Sequence, residues 1–237
     1  MLTLADVAHG QSRSGGGFTA RAQAREASRW TLQEWLAQRD RNRMMDLWLS
    51  MNSPSPFEFM IGVSHLSTTY DTVPATTESN NVSLAGELHA YAQFVGLTVE
   101  HENNTKAGVS DLTGMLNIRL LGDSLQNSSL TVHGGQLVRK TSAEELKHLF
   151  AQASLQMYFT KYFGIDASYR AIQSAHSDTQ NADITGALTR AGLFIDFKSV
   201  RIFGAWYQDI TTTKDTPTGS KTDSRRIGIQ SGLKIYY

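Results

Sequence analysis

The chain has 237 residues, 40% of them hydrophobic, with 22 acidic and 22 basic side chains and no cysteine. Neutrality argues against a nucleic-acid partner, which selects a basic excess, and the lack of cysteine excludes disulfides and thiolate chemistry. No apolar run reaches the roughly 18 residues of a transmembrane helix, and MLTLADVAHGQSRSGGG lacks the basic start and long apolar core of an intact signal peptide.

Residues 1–29 are rich in Gly, Ser, Ala and Arg and read as a flexible segment. A helix is expected over 30–52. Thr31 and Glu34 form a capping box, with Trp30 and Trp35 at the staple positions, and no Pro or Gly interrupts the run before Ser53-Pro54. Three of the four tryptophans (Trp30, Trp35, Trp48) lie there, near seven arginines. Trp and Arg together suit a membrane–water interface. Leu32, Leu36 and Trp35 share one side, while Met44, Leu47, Trp48 and Met51 turn partly onto the next, which gives an amphipathic helix with two apolar sides.

From Phe57 the period becomes two. Phe57, Phe59, Ile61 and Val63 alternate with Glu58, Met60, Gly62 and Ser64, and the same alternation returns to the end of the chain. Ten strands are predicted: 57–70, 82–93, 95–104, 111–121, 129–138, 148–158, 162–173, 184–197, 200–211 and 225–237. Long polar stretches such as YDTVPATTESNN and TTTKDTPTGSKTDS alternate with quick reversals. Three reversals carry an apolar residue followed by Gly (Val95-Gly96, Phe163-Gly164, Phe203-Gly204). An even number of long antiparallel strands, with long loops at one end and tight turns at the other, is the layout of a membrane barrel. Soluble strands average about 5–6 residues, so a soluble all-β barrel is the weaker alternative. The expected fold is an all-β membrane barrel, antiparallel and up-and-down, over 57–237, preceded by the amphipathic helix.

The chain ends QSGLKIYY, inside an alternating pattern. Gln230, Gly232, Ile235 and Tyr237 resemble the C-terminal signature of bacterial outer-membrane β-barrel proteins. That resemblance implies a Gram-negative outer membrane, a removed signal peptide and the barrel-assembly machinery as a partner during insertion. In a closed barrel the last strand pairs with the first, so a chain can end within a strand.

With apolar faces turned to lipid, the inward acids are Glu58, Glu87, Glu100, Glu102, Asp166 and Asp196. The inward bases are Arg119, Arg170, Arg190, Arg201, Arg226 and Lys234, joined by Tyr91, Tyr158, Phe194, Phe203 and Tyr236. A balanced set of charges with bulky rings predicts a plugged, ion-paired lumen rather than a charge-selective pore. Gly86, Ala90, Ala92, Ala151, Ala153, Ala167 and Ala171 are small for lipid-facing positions and suit barrel–barrel contact. A helix before a porin-like barrel resembles the ring-forming, lipid-trapping outer-membrane superfamily known from predatory bacteria. It implies a homo-oligomer that holds membrane lipid, with Trp30, Trp35, Trp48, Leu32 and Leu36 at the subunit contact.

No metal-ligand set, phosphate-binding glycine loop or nucleophile elbow is present, so neither metal nor cofactor is expected. His65 with Ser64 and Ser67, and His101 with Glu100 and Glu102, are the histidine clusters available for hydrolysis. The expected function is a non-enzymatic, oligomeric, lipid-associating barrel. The alternative is a monomeric barrel acting in adhesion, small-solute passage or hydrolysis.

Overall fold

The computed structural model describes residues 36–37, 40–41, 43–45, 56–73 and 79–237. Residues 57–237 form ten antiparallel strands: β1 Phe57–Val73, β2 Ser79–Ala92, β3 Val95–Asn104, β4 Val109–Leu121, β5 Ser129–Lys140, β6 Glu145–Tyr158, β7 Phe163–Ser177, β8 Ala182–Phe197, β9 Val200–Asp215 and β10 Lys221–Tyr236. Each strand pairs with its neighbours in sequence, and β10 pairs with β1, which closes the sheet. The closing register sets Ile61 opposite Ile235 and Val63 opposite Leu233. Tyr237 and Phe59 exchange both backbone hydrogen bonds at 2.9 Å.

Following paired residues around the wall from Phe59 through Ala90, Leu97, Leu116, Gly134, Ala151, Ala171, Ala187, Ile210 and Arg225 returns to β1 at Asp71. The stagger from Phe59 to Asp71 is twelve residues. With ten strands it fixes a strand tilt of about 40°, within the usual range for closed barrels.

The period-two pattern is what sorts the wall into two faces. Along β1, Met60, Gly62, Ser64, Leu66 and Thr68 are buried, while Phe57, Phe59, Ile61 and Val63 are exposed. Along β4, Leu112, Leu116, Ile118 and Leu120 point out and Thr113, Met115, Asn117 and Arg119 point in. The resulting outer belt of exposed Leu, Ile, Val and Phe runs right round the barrel. It is far larger than the apolar patches of a water-soluble monomer, and it is the surface a bilayer-spanning barrel requires. At the end that carries Phe57 and Tyr237, called lower here, the belt finishes in exposed rings: Phe57, Phe94, Phe159, Tyr162, Phe197 and Tyr237. This is an aromatic girdle at one bilayer boundary.

Above the belt the structure corrects the expected connections. The polar stretches are mostly strand: β9 runs on to Asp215, β10 starts at Lys221, β7 reaches Ser177 and β8 starts at Ala182. The upper connections are four or five residues long, and the longest connection among the described residues, 122–128, lies at the lower end, where tight turns were expected. Long and short connections therefore do not alternate. The strands continue out of the lipid belt, and their outward residues turn polar where water replaces hydrocarbon. There, Lys140 and Lys147 flank Glu145 on the outer face at 3.2 and 3.7 Å, and the hydrogen bond from Lys140 holds the carboxyl below its ordinary range.

Of the expected N-terminal helix, Leu36, Ala37, Asp40, Arg41, Arg43, Met44 and Met45 are helical. Trp30, Leu32, Trp35 and Trp48 lie outside the described residues.

Candidate functional site: the lumen

The lumen is filled in layers. At the lower end one arrangement occurs three times. An inward glycine pairs directly with an inward aromatic on the next strand, and a cation lies over that ring. Gly96 faces Tyr91 under Arg119, Gly164 faces Phe194 under Arg201, and Gly232 faces Phe203 under Lys234. The cations stand 4.6, 3.9 and 5.0 Å from the ring centroids. A Cβ on Gly96 would come within 2.7 Å of the Tyr91 ring, so only glycine lets each ring lie flat against the wall. The arrangement combines ring-over-glycine packing with a cation–π contact shielded from water. Of the three glycines that follow an apolar residue after a reversal, Gly96 and Gly164 lie inward under these rings. Gly204 points outward into open space, and Gly232, from the C-terminal signature, takes its place.

Arg201 is the node of this end. It donates to Asp196 at 2.6 and 3.0 Å, to Gln156 at 2.6 Å and to the Tyr158 hydroxyl at 2.7 Å. Tyr158 in turn donates to Asp196. The 122–128 connection folds against the same end. The Leu125 amide donates to Glu58 at 2.7 Å, and Gln156 donates to the carbonyls of Leu125 and Asn127 at 3.0 and 2.7 Å. Arg119 pairs with Glu58 at 3.2 Å. The connection is therefore pinned from inside by the charges it covers.

Higher up, Glu87 meets Lys234 at 2.8 Å, and Glu100 meets Arg170 at 2.8 Å and Arg190 at 3.4 Å. His133 bridges Asn117 and Ser154, each at 2.7 Å. An apolar layer follows, with Leu66, Leu188 and Tyr207 on one side and Met115, Leu137 and Phe150 on the other. Above it Arg226 pairs with Glu102 at 2.7 Å and Arg139 with Asp111 at 2.7 Å, and both approach Asp209, at 3.6 and 3.7 Å. Among the described residues the lumen keeps cavities of about 140 Å³ at the lower end, about 50 Å³ in the middle, within the apolar layer, and about 440 Å³ at the upper mouth.

The predicted lumen charges Glu58, Glu87, Arg119, Asp166, Arg170, Arg226 and Lys234 all face inward, and all but Asp166 form ion pairs. Asp166 lines the lower cavity. The sequence reading missed Asp111, Arg139 and Asp209. Asp111 and Arg139 fall at or beyond the predicted strand ends, and Asp209 follows the outward but polar Gln208, which blurs the alternation there. Both histidine clusters fail on the same parity. His65 and Ser67 point outward while Ser64 points inward, and His101 points outward between inward Glu100 and Glu102. His133 and His148 find their partners across the register, where strand-by-strand reading gives no signal, whereas His89 pairs with Glu87 two residues along its own strand at 3.2 Å.

In the C-terminal signature, Gln230 points inward and donates to Ser64 at 2.8 Å, Gly232 lies beneath Phe203, and Ile235 and Tyr237 face outward. Gly86, Ala90, Ala92, Ala151 and Ala153 occupy outward positions, as expected. The two groups lie on different parts of the circumference, on β2 and β6, four strands apart. Around Ala151 the pattern extends further than was read, because Gly134, Ala151, Ala171 and Ala187 stand in register on four adjacent strands.

No family model matches the chain, and no curated protein matches it. Similar solved structures include the outer membrane protease OmpT from Escherichia coli, at 10% identity and TM-score 0.42 over 76% of this chain and 96% of that one. Neisserial surface protein A matches at 10% identity and TM-score 0.35, over 76% of this chain and 97% of that one. The Pseudomonas putida toluene transporter TodX matches at 8% identity and TM-score 0.32, over 78% of this chain and 89% of that one. At these values the similarity carries no function across to this chain.

Proposed function

We propose that the chain is a non-enzymatic barrel of the bacterial outer membrane whose lumen is closed at rest, so that it acts through its wall and its upper end. The observation that carries this reading is the filled lumen. The lower stacks, the paired charges above them and the Leu66/Leu188/Tyr207 layer narrow the lumen to a middle cavity of only about 50 Å³, which adjoins the lower and upper ones, where a porin has a wide channel. A barrel of about eight strands has an interior just wide enough for side chains to fill, and ten strands widen it little compared with the roughly 16–18 of large porins. Reconstitution into planar bilayers tests it. Purified protein should insert without unitary conductance steps, and stable porin-sized openings would refute the closed lumen.

A second reading, a homo-oligomer that retains lipid between its barrels, is favoured by the row Gly134, Ala151, Ala171, Ala187. Small side chains let membrane elements approach closely. Beside this row, Tyr169, Thr189 and Gln208 stand in register on the same outer face. Such polar groups at membrane depth are most favourable against a protein partner. On this reading Trp30, Leu32, Trp35, Leu36 and Trp48 belong to the subunit contact. Native mass spectrometry with lipid extraction should give a defined multimer carrying phospholipid, and Trp35→Ala or Trp48→Ala should reduce it. A lipid-free monomer would remove the reading.

A further inference from the structure

We propose that the cavity at the upper mouth is a binding site for a neutral, polyhydroxylated ligand of the saccharide class. Its volume, about 440 Å³, lies within the range of small-molecule sites, roughly 300–1,000 Å³. Its walls are largely strand rather than loop. Tyr70 comes from β1, Asn104 from β3, Thr211 and Thr213 from β9, and Ser224 and Arg226 from β10. Sheet hydrogen bonding holds these side chains in place before anything binds, which lowers the ordering cost of association.

The charge pattern selects the ligand class. Both arginines of the floor are already committed, Arg226 to Glu102 and Arg139 to Asp111, with Asp209 between them. Glu144, at the rim, accepts from Ser177. An anion would have to compete with fixed carboxylates for either guanidinium, and a cation would have to compete with the arginines for Glu102 and Asp111 or with the Ser177 hydroxyl for Glu144. A neutral ligand faces neither conflict.

What the floor does leave over is hydrogen-bonding capacity. Asn104 is 2% exposed. Its Oδ1 accepts from the Ala107 amide at 3.0 Å, while its Nδ2 has no partner. Arg226 is 5% exposed, and its Nε has no partner. Both residues line the cavity, and buried donors left unpaired are costly. Facing them are the hydroxyls of Thr211, Thr213 and Ser224, each able to donate and accept. Neither nitrogen is itself open to water, so a ligand reaches them only where the floor side chains yield, while the wall hydroxyls, which both donate and accept, meet it directly. The Tyr70 ring, Val109 and Ile184 supply the apolar surface that a sugar's C–H faces require.

The test uses the full chain in detergent micelles and saturation-transfer NMR. The neutral probes are maltotriose, cellobiose and chitobiose, and the anionic probes are inorganic phosphate and citrate. At least one neutral probe should bind with a Kd of about 10 mM or tighter. Asn104→Asp keeps the acceptor used by Ala107 and removes the free donor, while Thr213→Val removes a wall hydroxyl at nearly constant volume. Each should weaken binding about tenfold, the worth of one well-placed hydrogen bond. If Asn104→Asp does not fold, Thr213→Val decides. Binding by none of the neutral probes, preference for an anion, or equal binding by folded variants and parent would overturn the proposal. The measurement needs neither a bilayer nor an oligomer, so its failure would leave the closed-lumen reading untouched.

Discussion

Replacing Arg201 with alanine should lower the unfolding free energy of the barrel by about 3–5 kcal/mol, the usual cost of removing one partner from a buried ion pair. Arg201 is 3% exposed and holds Asp196, Gln156 and Tyr158 while lying over Phe194. Its loss strands the Asp196 carboxylate, 4% exposed, without a countercharge. The measurement is a urea titration in micelles, followed by tryptophan fluorescence and by the gel-mobility shift between folded and unfolded barrel. Arg201→Lys should recover only part of the loss, because an ammonium cannot make the same fork of contacts. The double variant Arg201→Ala/Asp196→Ala should be less damaged than Arg201→Ala alone, since no charge is then stranded. A loss below about 1 kcal/mol for Arg201→Ala would mean that water reaches this layer and screens it.

The second large effect concerns two glycines that look alike in sequence. Gly164 and Gly204 both follow a phenylalanine just after a lower turn. Gly164 lies under the Phe194 ring and against the Met157 carbonyl, with no room for a Cβ, whereas Gly204 faces open space. Gly164→Val should therefore cost about 1–3 kcal/mol or more through overpacking, and it should also disturb the Arg201 layer, because Phe194 must move. Gly204→Val should be close to neutral in the same titration. Equal effects at the two sites would show that the ring-over-glycine contact is not what holds the lower end together.

The barrel was legible because a wall between hydrocarbon and a packed polar lumen writes a strong period-two signal. Ile61 against Gly62, or Leu116 against Asn117, is a contrast that survives without knowledge of the neighbouring strands. The signal fails where the outside becomes water. Along Thr211–Asp215 and Lys221–Arg225 both faces are polar, so strand reads as loop, and the predicted ends fall short. Lumen composition was likewise legible, since any residue opposite an apolar face must point in. Partnership was not. That Arg226 of β10 reaches Glu102 of β3, or that His133 meets Ser154, depends on register and curvature around the barrel. Residues adjacent in a strand, such as Ser64 and His65, are separated by the wall itself. The role of Gly232 was hidden for a related reason: read alone it belongs to a terminal signature, and only the β9–β10 register places Phe203 upon it.

The upward extension of the strands has a consequence for how the protein meets proteases and antibodies. Segments such as TTTKDTPTGSKTDS have the composition of a flexible, cleavable loop, yet all but about five central residues are held in the sheet. A protease must draw some ten residues of extended chain into its cleft, and backbone paired on both sides in a closed ladder cannot be drawn out without local unfolding. The end of the barrel above the belt should therefore present short turns as its cleavable and antigenic points, with the polar wall between them slow to exchange its amide protons. Diversity at this end would be confined to side chains on a fixed backbone rather than to loops of changing length.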